Sequence, residues 1–250
     1  MWEYLEYLKS RRSIFRNLPR IRAFEELREG QESIEKEIKE ASDLSRIVFF
    51  QAPTGFGKTG VALELALNEV VEGRFDRVAY LTSKSSGQPQ VMKQLKTMLP
   101  ANGALSSVQV RNKDELCTAP LCRCDLEDKR LAAGDRWKSC GLSPLHFISN
   151  PVGQPRRFRE TGEQERICPY ELMRATMPYA EIWVGDMNYL FSPRNRSLFF
   201  EQPGFDLSRT LLILDEVHNL ASRVADVFSY QIAHDTLERW LAELQFANSH

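Results

Sequence analysis

What this sequence lacks narrows the possibilities first. No apolar run reaches the roughly 18 residues that a membrane-crossing helix needs. The N-terminal MWEYLEYLKSRRS does not have the basic-then-apolar order of a secretory leader. Charge of neither sign dominates: 33 Lys and Arg stand against 34 Asp and Glu. The resulting net charge of -1 argues against a uniformly basic binder and leaves only local basic patches to consider. No internal repeat is visible, so a solenoid or propeller is not expected. No cysteine occurs before residue 117 or after residue 168, and the five that are present form no CxxC pair. A disulfide scaffold and a paired-CxxC zinc ribbon are both disfavoured, whereas metal ligation by a clustered set is favoured. A soluble, cytoplasmic protein without a membrane partner is expected.

What is present is an alternation of elements. A length of 250 residues, 42% of them hydrophobic, is ample for one large core or two small ones. Residues 1–45 read as charged helix, with Glu32–Lys36 and Glu35–Lys39 at i,i+4 spacing. The apolar run Ile47 to Phe50 reads as a buried parallel strand. A Gly-rich turn and a helical pattern closed by Gly73 follow it. Strands are expected at 78–82, 181–186 and 211–216, and helices at 88–98, from 168 to 179 and over 220–247. Residues 104–167 show no core pattern of their own. Strands alternating with helices give an α/β class with a parallel sheet, interrupted by a Cys-rich insertion.

Ala52 to Thr59 reads APTGFGKT, a Walker A pattern with Ala at its first position. Gly55 and Gly57 allow the backbone to fold tightly, with Ala52, Pro53, Thr54 and Phe56 completing the loop. Inward N–H groups and the following helix N-terminus suit an anionic phosphate. Lys58 is expected to reach the β- and γ-phosphates of ATP, and the Thr59 hydroxyl to ligate Mg²⁺. The plain alternative is a Gly-rich turn ahead of a helix. Asp215 and Glu216 follow the apolar Leu211 to Leu214, which sets two acids at the carboxyl edge of the sheet, where ligands bind in such folds. Asp215 is assigned to the Mg²⁺ shell and Glu216 to polarising the attacking water, with His218 linking the site to neighbouring segments.

The cysteines stand at 117, 122, 124, 140 and 168. Four thiolates in an irregular segment are suited to a [4Fe–4S] cluster, the metal replacing a missing core; structural zinc or spare thiols are the alternatives. With these residues on the page, the chain resembles a known family. QAPTGFGKT, YLTSKSSGQPQV, CPYELMR, NYLF at 188–191 and LDEVHN together look like XPD/DinG-type superfamily 2 iron–sulfur helicases, over roughly residues 28 to 220. DEVH stands where that family more usually has DEAH. The resemblance implies a RecA-like P-loop NTPase sheet and ATP-dependent unwinding of DNA, 5′ to 3′. It implies adenine reading by Gln31 and DNA-backbone contacts at Thr82 and Ser83. It also implies a cluster held by Cys117, Cys140 and Cys168, with Cys124 favoured over Cys122 as the fourth ligand.

The resulting expectation divides the chain into four parts. Residues 1–104 and 171–220 form the two parts of one RecA-like motor domain, 105–170 the iron–sulfur insertion, and 221–250 the start of a helical arch. A second RecA-like domain is expected downstream, so the 250 residues alone should bind nucleotide weakly and turn it over little. Single-stranded or forked DNA is the expected partner. Arg156, Arg157 and Arg159 form a basic run that suits phosphates or simply decorates a loop. Phe147, Phe158 and Tyr170 are base-stacking candidates but suit a core at least as well. Trp183 and Tyr189 read as packing residues, and Lys9, Arg11, Arg12 and Arg16 as a helix surface. The rival readings are a P-loop ATPase that never touches DNA and a non-catalytic module with a zinc-stabilised insert.

Overall fold

The computed structural model describes residues 2–100, 103–118, 143–229 and 233–248. Its centre is a four-stranded sheet of β1 (Arg77–Thr82), β2 (Ser107–Gln109), β3 (Ile182–Asp186) and β4 (Thr210–Leu214), in the order β2-β3-β1-β4. All three pairings are parallel; Tyr80 lies opposite Val184 on one side and Ile213 on the other. Consecutive residues of a strand point to opposite faces, and the two faces are covered by different helices. Val78 and Tyr80 join Ile182 and Val184 beneath α3 (Lys58–Val71) and α4 (Gln88–Met98), through Leu63, Leu67, Val91 and Leu95. Ala79 and Leu81 join Trp183 on the other face.

That second face is covered by residues expected to lack a core. Single-turn helices α5 (Lys113–Leu116) and α6 (Pro144–Ile148), together with α7 (Gln154–Glu165) and α8 (Pro169–Thr176), bury Leu116, Phe147, Ile148, Phe158 and Leu172 at 0–1% exposure. Phe147 and Phe158 stack at 5.0 Å between centroids, which makes them core residues and not base platforms. Strand β2 also lies inside the span 105–170, so the sheet itself extends into residues assigned to the insertion. Short helices α9 (Asn188–Phe191) and α10 (Ser197–Phe200) contribute Tyr189 and Phe199, which pack with Trp183 as the sequence suggested. The chain closes with α11 (Leu220–Phe228) and α12 (His234–Asn248). Among the described residues no helix is long and apolar enough to cross a membrane.

Three sequence expectations need correction. Residues 47–50 form no strand, and Ile47 and Phe49 are 73% and 81% exposed. An apolar run states that a segment favours burial; it does not supply a paired neighbour, and β4 is the edge of the described sheet. The N-terminal region is two helices, α1 (Trp2–Phe15) and α2 (Gln31–Leu44), with non-helical chain between them. In α2, Glu35 pairs with Arg20 at 2.5 Å and Lys36 with Glu40 at 3.8 Å, not in the expected combinations. Finally, Arg11 is not a surface residue. Its guanidinium makes two 2.7 Å bonds to the Glu181 carboxylate and donates to the Gly103 carbonyl, with both charged side chains under 10% exposed.

Candidate nucleotide site

The loop between Ala52 and Thr59 holds its shape through left-handed glycines and a brace beneath it. Gly55 and Gly57 adopt φ of 83° and 91°, a region open to Gly and costly for residues with a Cβ. A Cβ at Gly57 would lie 2.8 Å from the Phe24 ring and 2.9 Å from Gln31 Nε2; one at Gly60 would lie 2.4 Å from Phe24. Phe24 was not singled out in the sequence, because a lone aromatic in a polar stretch carries no motif. Gln31, expected to face a base, is 1% exposed. Its Oε1 accepts from the Arg28 N–H at 2.8 Å, and its Nε2 donates to the Phe56 carbonyl at 2.6 Å. In this arrangement the amide braces the loop and both its ends are occupied. Arg28 adds a side-chain bond to the Gly55 carbonyl. Pro53, Thr54 and Gly55 are exposed, while Ala52, Phe56, Lys58 and Thr59 are half-buried. Lys58 Nζ donates to the Ala52 carbonyl at 2.8 Å, which folds the ammonium back over the loop.

The acidic pair arrives from β4. The Asp215 N–H donates to the Leu81 carbonyl at 2.9 Å, so the chain leaves β4 still registered to β1. Burial pushes the Asp215 carboxyl above its ordinary range, against the Tyr80 hydroxyl and the Lys58 ammonium, which pull it down. Lys58 therefore lies near enough to Asp215 to act on it electrostatically. Glu216 is exposed and sits in the left-handed region at φ 54°, where few residues other than Gly are found. Such strain recurs at functional positions. His218 Nδ1 lies 3.3 Å from Glu216 Oε2, and Asn219 Nδ2 lies 3.0 Å from His218 Nε2. The four sequence-assigned residues Lys58, Thr59, Asp215 and Glu216 thus meet at the carboxyl end of β1 and β4.

Beside this site, at the carboxyl ends of β1 and β3, lies a cleft of about 340 Å³. Lys84, Ser85, Gln88, Asn112, Asp186 and Arg223 line it. Arg223, on α11, donates to the Ser83 carbonyl and ties the segment after the acidic pair to the loop after β1. Thr82 and Ser83 are themselves buried; the Thr82 hydroxyl donates to the Lys84 carbonyl at 2.9 Å. Burial raises the Asp186 carboxyl, and Arg223 works against that shift.

The basic run at 156–159 lies on helix α7, not on a loop, and its members have protein partners. Arg156 pairs with Glu160 at 2.6 Å, Arg157 caps the carbonyls of Phe147, Asn150 and Val152, and Arg159 reaches the Glu115 carbonyl at 3.4 Å. Of the cysteines, Cys117 caps the end of α5 and Cys168 precedes the first turn of α8, and these two helices pack together. Cys117 is exposed and Cys168 half-buried. Cys122, Cys124 and Cys140 lie outside the described residues.

A parallel sheet covered by helices on both faces, with a glycine loop and an acidic pair at one end, defines a RecA-like fold of the phosphate-loop NTPase class. The DEAD_2 family model matches residues 80–237, more than half of the chain, and the chain belongs to that family. It is 24% identical over 212 residues to the regulator of telomere elongation helicase 1 homolog of Aedes aegypti, covering 76% of this chain and 20% of that protein. The corresponding protein of Drosophila melanogaster is 27% identical over 169 residues, covering 62% of this chain and 16% of its own length. The chain thus spans about a fifth of the length of the curated relatives it matches. A solved XPD helicase structure superposes with a TM-score of 0.59 at 18% identity, covering 82% of this chain and 35% of that one; it shares the fold.

Proposed function

We propose that this chain is the N-terminal, ATP-binding part of an ATP-dependent DNA helicase. The observation that carries the reading is the meeting of Lys58 and Thr59 with Asp215 and Glu216 at one end of the sheet. Lys58 leaves the Ala52 carbonyl for the β- and γ-phosphates of ATP. Thr59 and Asp215 supply oxygen ligands to the Mg²⁺ that accompanies the nucleotide, and Glu216 orients and deprotonates water for attack on the γ-phosphorus. His218 and Asn219 hold Glu216 and relay its position to the neighbouring loop. Gln31 keeps the loop in shape; reading adenine would require it to release Phe56. A second RecA-like domain, outside these residues, closes the site from the opposite side, so this half binds nucleotide with little turnover.

Single-stranded or forked DNA is the proposed substrate, its backbone following the cleft at Lys84, Ser85 and Arg223 next to Ser83. Translocation is proposed to run 5′ to 3′, and the proposed location is the cytoplasm. Binding of a fluorescent oligonucleotide should be saturable and should weaken steeply as salt rises, because each phosphate neutralised releases counterions. Affinity independent of salt, or no binding, would favour a P-loop ATPase that does not act on DNA.

The insertion is proposed to carry a [4Fe–4S] cluster that ties the cysteine segment to the motor domain. Cys117 and Cys168, at the ends of two packed helices, suit two of the four thiolate positions. Cys140 with Cys124 or Cys122 would complete the set. The proposed division remains a motor domain at 1–104 and 171–220, an insertion within 105–170 and an arch beginning at 221, with β2 assigned to the sheet. Anaerobically purified protein should be brown and contain about four iron atoms and four acid-labile sulfides per chain. One zinc per chain would instead assign the thiols to a structural zinc site.

A further inference from the structure

Three glutamines stand where apolar side chains would pack without a polar cost. Gln88, Gln109 and Gln154 are 0–4% exposed and come from α4, β2 and α7. A buried amide is costly unless its polar ends are paired. These amides pair with one another and with the edge of the sheet. Gln154 Oε1 accepts from the Gln109 N–H at 2.7 Å, while Gln154 Nε2 donates to the carbonyls of Ser107 at 2.6 Å and Phe147 at 3.2 Å. Ser106 and Val110, which flank β2, bond to the β3 side, so the Ser107 carbonyl and the Gln109 N–H face away from it. One side-chain amide therefore closes the outer edge of β2 as a further strand would, and it fastens the Gln109 backbone to α7.

The Gln109 side chain carries the series onward. Val108 and Val110 belong to the core on the α7 side of the sheet, and strand alternation turns Gln109 to the opposite face, where α4 lies. There Gln109 Nε2 donates to Gln88 Oε1 at 3.2 Å. Gln88 opens α4 and lines the cleft of about 340 Å³, together with Lys84, Asn112 and Arg223. We infer that Gln109 is a positioning residue for this cleft: held at its backbone by Gln154, it holds the Gln88 side chain in the cleft wall. A buried polar network with its members paired favours one arrangement of them. Fixing Gln88 beforehand removes the cost of ordering it when a ligand binds. The inference rests on the reading of the cleft as the path of a nucleic-acid backbone.

The full 250-residue chain is compared with Gln109→Met and, as a second uncharged variant, Gln109→Leu, which fill similar space and cannot donate to Gln88. Binding of a fluorescent single-stranded thymidine oligonucleotide is titrated across a salt series, beside binding of a fluorescent ATP analogue and thermal melting. Oligonucleotide affinity should fall about 5-fold in both variants. The salt slope should stay at the wild-type value, because no phosphate-neutralising charge is removed, and affinity for the ATP analogue should not change. Gln88→Met should weaken oligonucleotide binding by itself, and adding Gln109→Met to it should cause no further loss, because Gln109 acts through Gln88. Unchanged oligonucleotide affinity in the Gln109 variants would overturn the inference, as would losses that add in the double variant. A parallel loss of affinity for oligonucleotide and ATP analogue with a lowered melting temperature would also overturn it and assign the amide to packing alone. Failure of the underlying reading shows in the wild type instead: absence of salt-sensitive oligonucleotide binding there would remove the cleft's role and the inference with it.

Discussion

Replacing Arg11 with alanine is expected to destabilise the fold by about 3–5 kcal/mol, the usual cost of removing one partner of a buried ion pair. The pair is well made. Arg11 meets both Glu181 oxygens at 2.7 Å, its remaining nitrogen serves Gly103, and Glu181 also accepts from the Ser106 N–H at 2.9 Å. Removing the guanidinium leaves a carboxylate buried at the start of β3 with only a backbone partner. The melting temperature should fall on the order of 10 °C for a chain of this size. Chemical denaturation with the wild type alongside would measure it. Pairing the change with Glu181→Leu should recover much of the loss, since the cost lies in the orphaned charge. A loss below about 1 kcal/mol would mean that α1 is not anchored to the sheet in this way.

The second large effect is expected at the phosphate loop. Lys58→Ala removes an ammonium folded over the loop, bonded to the Ala52 carbonyl and acting electrostatically on Asp215. A charge-assisted bond contributes about 1.5–3 kcal/mol, so ATP affinity should fall on the order of 10- to 150-fold. The melting temperature in the absence of nucleotide should change little, because the lysine is only half-buried and its present partner is a single carbonyl. A drop in stability as large as the drop in affinity would make Lys58 a structural residue.

The parts of this fold that were readable in the sequence share a property. Strands β1, β3 and β4 announce themselves as short apolar runs, and the glycine loop and acidic pair are contiguous, so their chemistry is local. What escaped depends on distant partners. Arg11 looks like one basic residue among four on a charged helix; its burial is decided by Glu181, 170 positions later. Phe158 lies between arginines and was nonetheless legible as a core candidate; only its stacking partner, Phe147, became visible in three dimensions. The run at 47–50 failed in the opposite sense: its apolar pattern is local and clear, yet the segment joins no strand of the described sheet, and Ile47 and Phe49 stay exposed.

The most direct test of the central claim is a calorimetric titration of the wild-type chain with ATP and Mg²⁺, run beside Lys58→Ala. A phosphate-loop site at the carboxyl end of β1 and β4 predicts saturable binding of one nucleotide per chain, strengthened by Mg²⁺ and greatly weakened in the variant. No saturable binding by the wild type, or equal binding by both proteins, would contradict it.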